Sequence, residues 1–162
     1  HLIVIYGLQI ASGILAFISV FTILFTKQNP FVEFQAMVLR YQWRVWSFVF
    51  WMRDEYPPWD FEVLAADNGR DPARLEVTPP GELNRWLPLV KWLLVFPHLV
   101  VLLFLGIAAW FVGIVAFFAV LFTGKWPESL RAFVVGVLRW SMRVQAYGHV
   151  LLNDKYPPFS LD

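Results

Sequence analysis

The chain has 162 residues, of which 59% are apolar, 19% aromatic and only 15% charged; a soluble domain is about half apolar and about a quarter charged, so the implied solvent is lipid. There is no cysteine, which excludes disulfides and thiolate metal sites, and the formal net charge of +1 argues against nucleic acid as a partner. The charge is uneven: residues 53–85 hold eight acids and four bases, and the rest of the chain holds nine bases and four acids.

The first predicted element is a transmembrane helix over Ile3 to Phe25. It begins inside an apolar run with no initiator Met, so residues preceding His1 are expected. After Pro30, residues 31–52 change character. Glu33, Arg40, Arg44 and Ser47 form a polar stripe, and the opposite face is rich in Val, Phe, Trp and Leu. Two mid-helix arginines cost about 2.5–3.5 kcal/mol each in hydrocarbon. The pattern predicts an amphipathic helix lying in the interface. A second span with its stripe buried against a partner is the alternative. Asp54-Glu55-Tyr56-Pro57-Pro58-Trp59 then closes the segment, because its prolines forbid helix continuation.

The acidic centre is the only region expected to be extended. Phe61-Glu62-Val63 and Leu75-Glu76-Val77 alternate apolar and acidic residues about the turn signal Asn68-Gly69, which predicts a small hairpin outside the membrane. Residues 82–96 read as an interfacial lead-in helix that Pro97 separates from the next span. That span, His98 to Phe122, is 25 residues without a charge. At ~1.5 Å per residue it reaches about 37 Å, enough to cross a hydrocarbon core of about 30 Å. Residues 128–152 predict a second basic amphipathic helix, with Arg131, Arg139 and Arg143 on one face. Asp154-Lys155-Tyr156-Pro157-Pro158-Phe159 repeats the earlier closure, and Phe159-Ser160-Leu161 is a candidate further strand.

These parallels extend along the chain. His1 to Pro30 aligns without gaps on His98 to Pro127, with eleven of 30 positions identical. Arg40 and Arg44 match Arg139 and Arg143 at an offset of 99, and the Tyr-Pro-Pro motifs match at 100. The expected architecture is an all-α membrane protein of two repeated units. Each unit has one transmembrane helix plus an amphipathic helix, with a small extended or β segment outside the membrane. The expected divisions are 1–59 for the first unit with its front truncated, 60–81 for an acidic connector, and 82–162 for the second.

Pro97-His98-Leu99-Val100, Leu121 to Pro127, Val137-Leu138-Arg139-Trp140 with Arg143, and Tyr156 to Phe159, in that order, resemble the DUF4389 family. The resemblance implies a bacterial inner-membrane protein, often with tandem copies, and supplies no catalytic residues. The first unit departs from the pattern: Gly124-Lys125-Trp126 becomes Lys27-Gln28-Asn29, and Glu33, Gln35 and Gln42 enter its second helix.

Three constellations are candidate sites. The pairs Arg40/Arg44 and Arg139/Arg143 put two planar guanidiniums on one helix side, which suits a lipid headgroup phosphate. His1 and His98 hold equivalent places at the entry to each span and are candidate axial ligands of a haem or a pigment magnesium, against the duller role of interfacial histidines. Eight of the nine tryptophans, Trp140 among them, fit an aromatic belt. No covalently bound cofactor is expected. Asp67 to Asp71 lacks the ligand pattern of a calcium loop, and no GxSxG, P-loop, HExxH or GxGxxG is present. The expectation is a non-catalytic structural or accessory subunit, with lipids and other membrane subunits as partners. A lipid-headgroup or pigment-binding module is the alternative.

Overall fold

The computed structural model describes residues 1–77 and 81–162, so Thr78 to Pro80 of the expected connector lie outside the described residues. Among the described residues four α-helices form: α1 (Leu2–Thr26), α2 (Val32–Val49), α3 (Leu87–Thr123) and α4 (Glu128–Val144). A π-helical turn, Gln145–His149, extends α4. Among the described residues there is no strand.

α1 and α3 are long and apolar enough to cross a membrane. Both end on the same device. Thr26 Oγ1 donates to Thr22 O at 2.7 Å and Thr123 Oγ1 to Ala119 O at 2.6 Å, so each hydroxyl is satisfied by the carbonyl one turn back. The next residue is left-handed in each case, Lys27 at φ 60° and Gly124 at φ 67°. Lys27 carries a Cβ into that region at a cost of roughly 1–2 kcal/mol, which glycine avoids.

Pro97 does not separate a lead-in helix from the span. α3 runs through it, and the 82–86 part of the expected lead-in is not helical. Pro97 has no N–H for Leu93 O. The Tyr156 hydroxyl donates to the neighbouring Leu94 O at 3.2 Å. Lys91, one turn earlier, is fully buried, with Nζ 2.6 Å from Asn153 O and 2.8 Å from Asp154 Oδ1. The segment after α4 therefore splints α3 where a proline would otherwise break it. At about 1.5 Å per residue α3 reaches about 55 Å, longer than hydrocarbon requires.

α1 packs on α2 through Ile5, Tyr41 and Val45. α3 packs on α4 and its π turn through Val95, Trp140, Val144 and Tyr147. The two hairpins meet where Leu39 of α2 packs against Met142, Val150 and Leu152. The inward stripes of the long helices are small residues at matching positions, Ser12, Ala16 and Ser19 in α1 and Ala109, Gly113 and Ala116 in α3, all buried. Their outward faces are large, apolar and exposed.

The π turn brings Gly148 so close to α3 that an added Cβ would lie 2.3 Å from Val95 Cγ2. Gly148→Ala is expected to destabilise the fold by roughly 1–3 kcal/mol through overpacking. Combined with Val95→Ala it should cost less than the sum of the two single changes. Unfolding midpoints in mild detergent for the four-protein cycle check this.

Candidate functional site

The sites grow from the second helix of each hairpin. In α2, Arg40 and Arg44 lie one turn apart and are 4% and 3% exposed. Their heads meet the connector, not the outside. Arg40 donates from Nη1 to Leu64 O at 2.7 Å, from Nη2 to Ala65 O at 2.9 Å and from Nε to Leu75 O at 3.3 Å. Arg44 reaches Asp60 Oδ2 at 2.9 Å and Asp67 Oδ1 at 3.1 Å.

This is why the expected hairpin does not form. The carbonyls of Leu64, Ala65 and Leu75 are taken by a guanidinium, and the Leu75 N–H donates to Asp67 Oδ2 at 3.3 Å. A strand ladder needs those same groups. Gly69 does take the left-handed φ of 69° that the Asn-Gly signal predicts. The Asp67 carboxylate accepts its N–H at 3.0 Å. The 159–161 segment is likewise no strand, and Ser160 O and Asp162 O accept from Arg143 instead.

Burial pushes the Asp67 carboxyl up, but the Gly69 and Leu75 N–H donors and the charges of Arg44 and Arg40 outweigh it, and the net direction is down. Asp60 behaves alike: burial raises it, and Glu62 N–H, Asn68 and Arg44 bring it below the ordinary range. Arg40 is lowered by burial, against the pull of Asp67 and Glu76. In this structure, then, Arg40 and Arg44 clamp the connector and present nothing to a lipid phosphate. Arg139 and Arg143 differ. Arg139 is exposed and Arg143 half-buried.

The histidines sit in matching aromatic boxes. His1 stacks on Trp59 with centroids 3.9 Å apart, and Tyr56 and Tyr41 complete its surround. His98 stacks on Phe159 at the same 3.9 Å, beside Tyr156 and Trp140. The Tyr-Pro-Pro-aromatic closure thus folds back onto the histidine at the start of the long helix. Tyr41 Oη lies 2.6 Å from His1 Nδ1, and Trp140 Nε1 donates to His98 Nδ1 at 3.1 Å. Nε2 of both rings is buried. With Nδ1 engaged, one face stacked and Nε2 covered, neither ring presents a nitrogen to a haem or pigment. Trp140, expected in an aromatic belt, is 4% exposed because it serves this box. His149, which has no counterpart, lies over Gly13 of α1.

Sequence reading registered Asn29 only as a departure; the structure gives it a task. Asn29 Nδ2 donates to Gln35 Oε1 at 3.0 Å, Val150 O at 3.2 Å and Leu151 O at 3.3 Å, and its Oδ1 accepts from Ser19 and from Phe31 N–H. Trp126, the matching position, donates from Nε1 to Phe50 O at 3.0 Å. Each residue satisfies a carbonyl just past the end of the other hairpin's second helix. Trp51 and Leu151, equivalent at an offset of 100, share left-handed φ values of 53° and 55° at those ends. The exchange is reciprocal, and the signal was present: Asn29 and Trp126, both able to donate, stand at matched places three after a helix-ending Thr and just before a proline.

The family model described as a domain of unknown function, DUF4389, matches residues 1–60 and again 86–160. No curated protein and no solved structure matches the chain.

Proposed function

The chain belongs to the DUF4389 family, and from that premise we propose that it is a non-catalytic protein of a bacterial inner (cytoplasmic) membrane, a structural or accessory subunit of a larger membrane complex. Residues 1–59 and 82–162 are two copies of one unit, each a transmembrane helix with a second helix packed on it, and 60–81 is the acidic connector outside the lipid. The observation that carries this reading is the exposure of the two long helices. Only 22% of the most apolar window of α1 and 17% of that of α3 is buried inside the protein. A core helix of a soluble domain would be covered. Here Ile3, Phe17, Phe25, Phe104, Trp110 and Phe122 all point outward. Such a surface far exceeds the apolar patch of a few hundred Å² that a soluble monomer leaves in water.

Two kinds of detail support the finer parts. The Thr hydroxyl bonds, the left-handed residues, the boxed histidines and the reciprocal carbonyl contacts recur at matched positions, as a duplicated unit requires. The buried Arg40, Arg44, Lys91 and His98 are engaged with the protein's own carbonyls, carboxylates and rings, which leaves them holding structure.

The test is extraction from native membranes followed by mass measurement in mild detergent. The protein should resist alkaline carbonate, dissolve in detergent and run as part of a larger assembly. Release by carbonate would overturn the membrane reading, and a lone monomer would overturn the subunit reading.

A further inference from the structure

The arginine pair of α4 faces a cleft of about 900 Å³. We propose that this cleft binds the phosphate of an anionic phospholipid, a reading that rests on the membrane assignment above. The first hairpin shows what such a pair receives. Arg40 and Arg44 of α2 are filled by three carbonyl oxygens and two carboxylates, all from the connector. At the matched places in α4 the filling is incomplete. Among the described residues Arg143 donates to the carbonyls of Ser160 and Asp162 and meets no carboxylate of the kind Asp60 and Asp67 offer Arg44, while its Nε, like that of Arg44, is buried with no acceptor. Arg139 lines the cleft, is exposed, and has no hydrogen-bond or ion-pair partner among the described residues.

The lining matches an amphiphile with an anionic head. Arg139, Arg143 and Lys155 bring three cations, against the two carboxylates of Glu76 and Asp162. The planar guanidinium fork of the exposed Arg139 suits phosphate oxygens. Leu39, Met142, Ala146 and Pro157 give the remaining wall apolar surface for the glycerol and the first acyl carbons. The cleft also lies at a suitable depth. Tyr156 lines it while donating to Leu94 O on α3, between the last charge of that helix, Lys91, and the uncharged run that begins at His98. A headgroup sits at that boundary between polar and apolar layers.

The full chain is reconstituted into phosphatidylcholine vesicles and into equimolar phosphatidylcholine and phosphatidylglycerol. Lipids retained after mild-detergent extraction are counted by native mass spectrometry. Phosphatidylglycerol should be retained in preference to phosphatidylcholine. Arg139→Gln and Lys155→Gln should each lower that preference about five-fold, the effect expected of one basic residue at an anionic surface. Both side chains are exposed, so the variants should keep the wild-type unfolding midpoint. Arg131→Gln, exposed on the same helix but outside the cleft, should leave the preference unchanged. Equal retention of the two lipids, an equal effect of Arg131→Gln, or displacement of the lipid by inorganic phosphate or an acidic peptide would each overturn the proposal. Failure to insert into phosphatidylcholine vesicles at all would instead overturn the membrane reading on which it rests.

Discussion

Arg44→Met should destabilise the protein by about 3–5 kcal/mol, the size of effect seen when one partner of a buried ion pair is removed. The side chain of Asp67 is fully buried and that of Arg44 is 4% exposed. Without the guanidinium, Asp67 keeps only the N–H groups of Gly69 and Leu75 and must hold its charge in a poorly solvated place or take up a proton. Adding Asp60→Asn and Asp67→Asn to Arg44→Met should recover much of the loss, because no uncompensated charge then remains. The exposed pair Arg70–Glu62, at 73% and 47% side-chain exposure, sets the contrast. Arg70→Met should change stability by no more than ~1 kcal/mol. Reversible unfolding in detergent with each variant decides between these outcomes. Acid provides an independent arm. Asp60 and Asp67 titrate below their ordinary range when folded. Their contribution is therefore complete above the unfolded value, about 3.9, and is lost as pH falls below that through the lower folded values. A wild-type midpoint that is flat through this acid range, while Asp67→Asn is also flat, would contradict the clamp.

The same clamp marks where local pattern stops being informative. Alternation in 61–63 and 75–77 records which residues are apolar, but the fate of the Leu75 carbonyl is decided by Arg40, thirty-five positions away. Pro97 is a strong local breaker, and only the Tyr156 hydroxyl and the Lys91 contacts, brought from beyond α4, explain its place inside α3. Helix positions, by contrast, were legible, because apolar runs and proline breaks are local: α1, α2 and α4 begin within a residue or so of the expected starts. The matched residues were legible too, as identities at offsets of 97, 99 and 100. Their joint task was not, since sequence order hides that Trp59 lands on His1 and Phe159 on His98. The small stripes Ser12/Ala16 and Ala109/Gly113 were the overlooked signal. Both have the spacing that allows close helix approach, and Phe50 lies 3.2 Å from where a Gly113 Cβ would be.

Trp140→Ala should cost about 3–5 kcal/mol, because a fully packed indole is removed from a site that cannot collapse around the gap. Trp140 touches the stack from the side: its ring is edge-on to His98 at 5.8 Å and to Phe159 at 5.5 Å. It also packs with Val95, Val144 and Tyr147. Its N–H donation makes Nδ1 of a neutral His98 the acceptor and places the ring proton on Nε2. Trp140→Phe keeps most of the apolar body and removes the donor, which leaves a fully buried acceptor unmatched at about 1–3 kcal/mol. Trp140→Tyr carries the hydroxyl that Tyr41 brings to His1 at the matched position, and should lie between wild type and Trp140→Phe. The order wild type, Tyr, Phe, Ala in unfolding midpoint is the expected result. Ala no worse than Phe would mean that the indole body contributes little and the closure is held elsewhere. A second readout separates the box from general packing. Proteolysis within 153–162 should accelerate in Trp140→Ala far more than in Leu39→Ala, because Phe159 loses the ring it closes on, whereas Leu39 packs with Met142, Val150 and Leu152 and makes no part of the His98 stack.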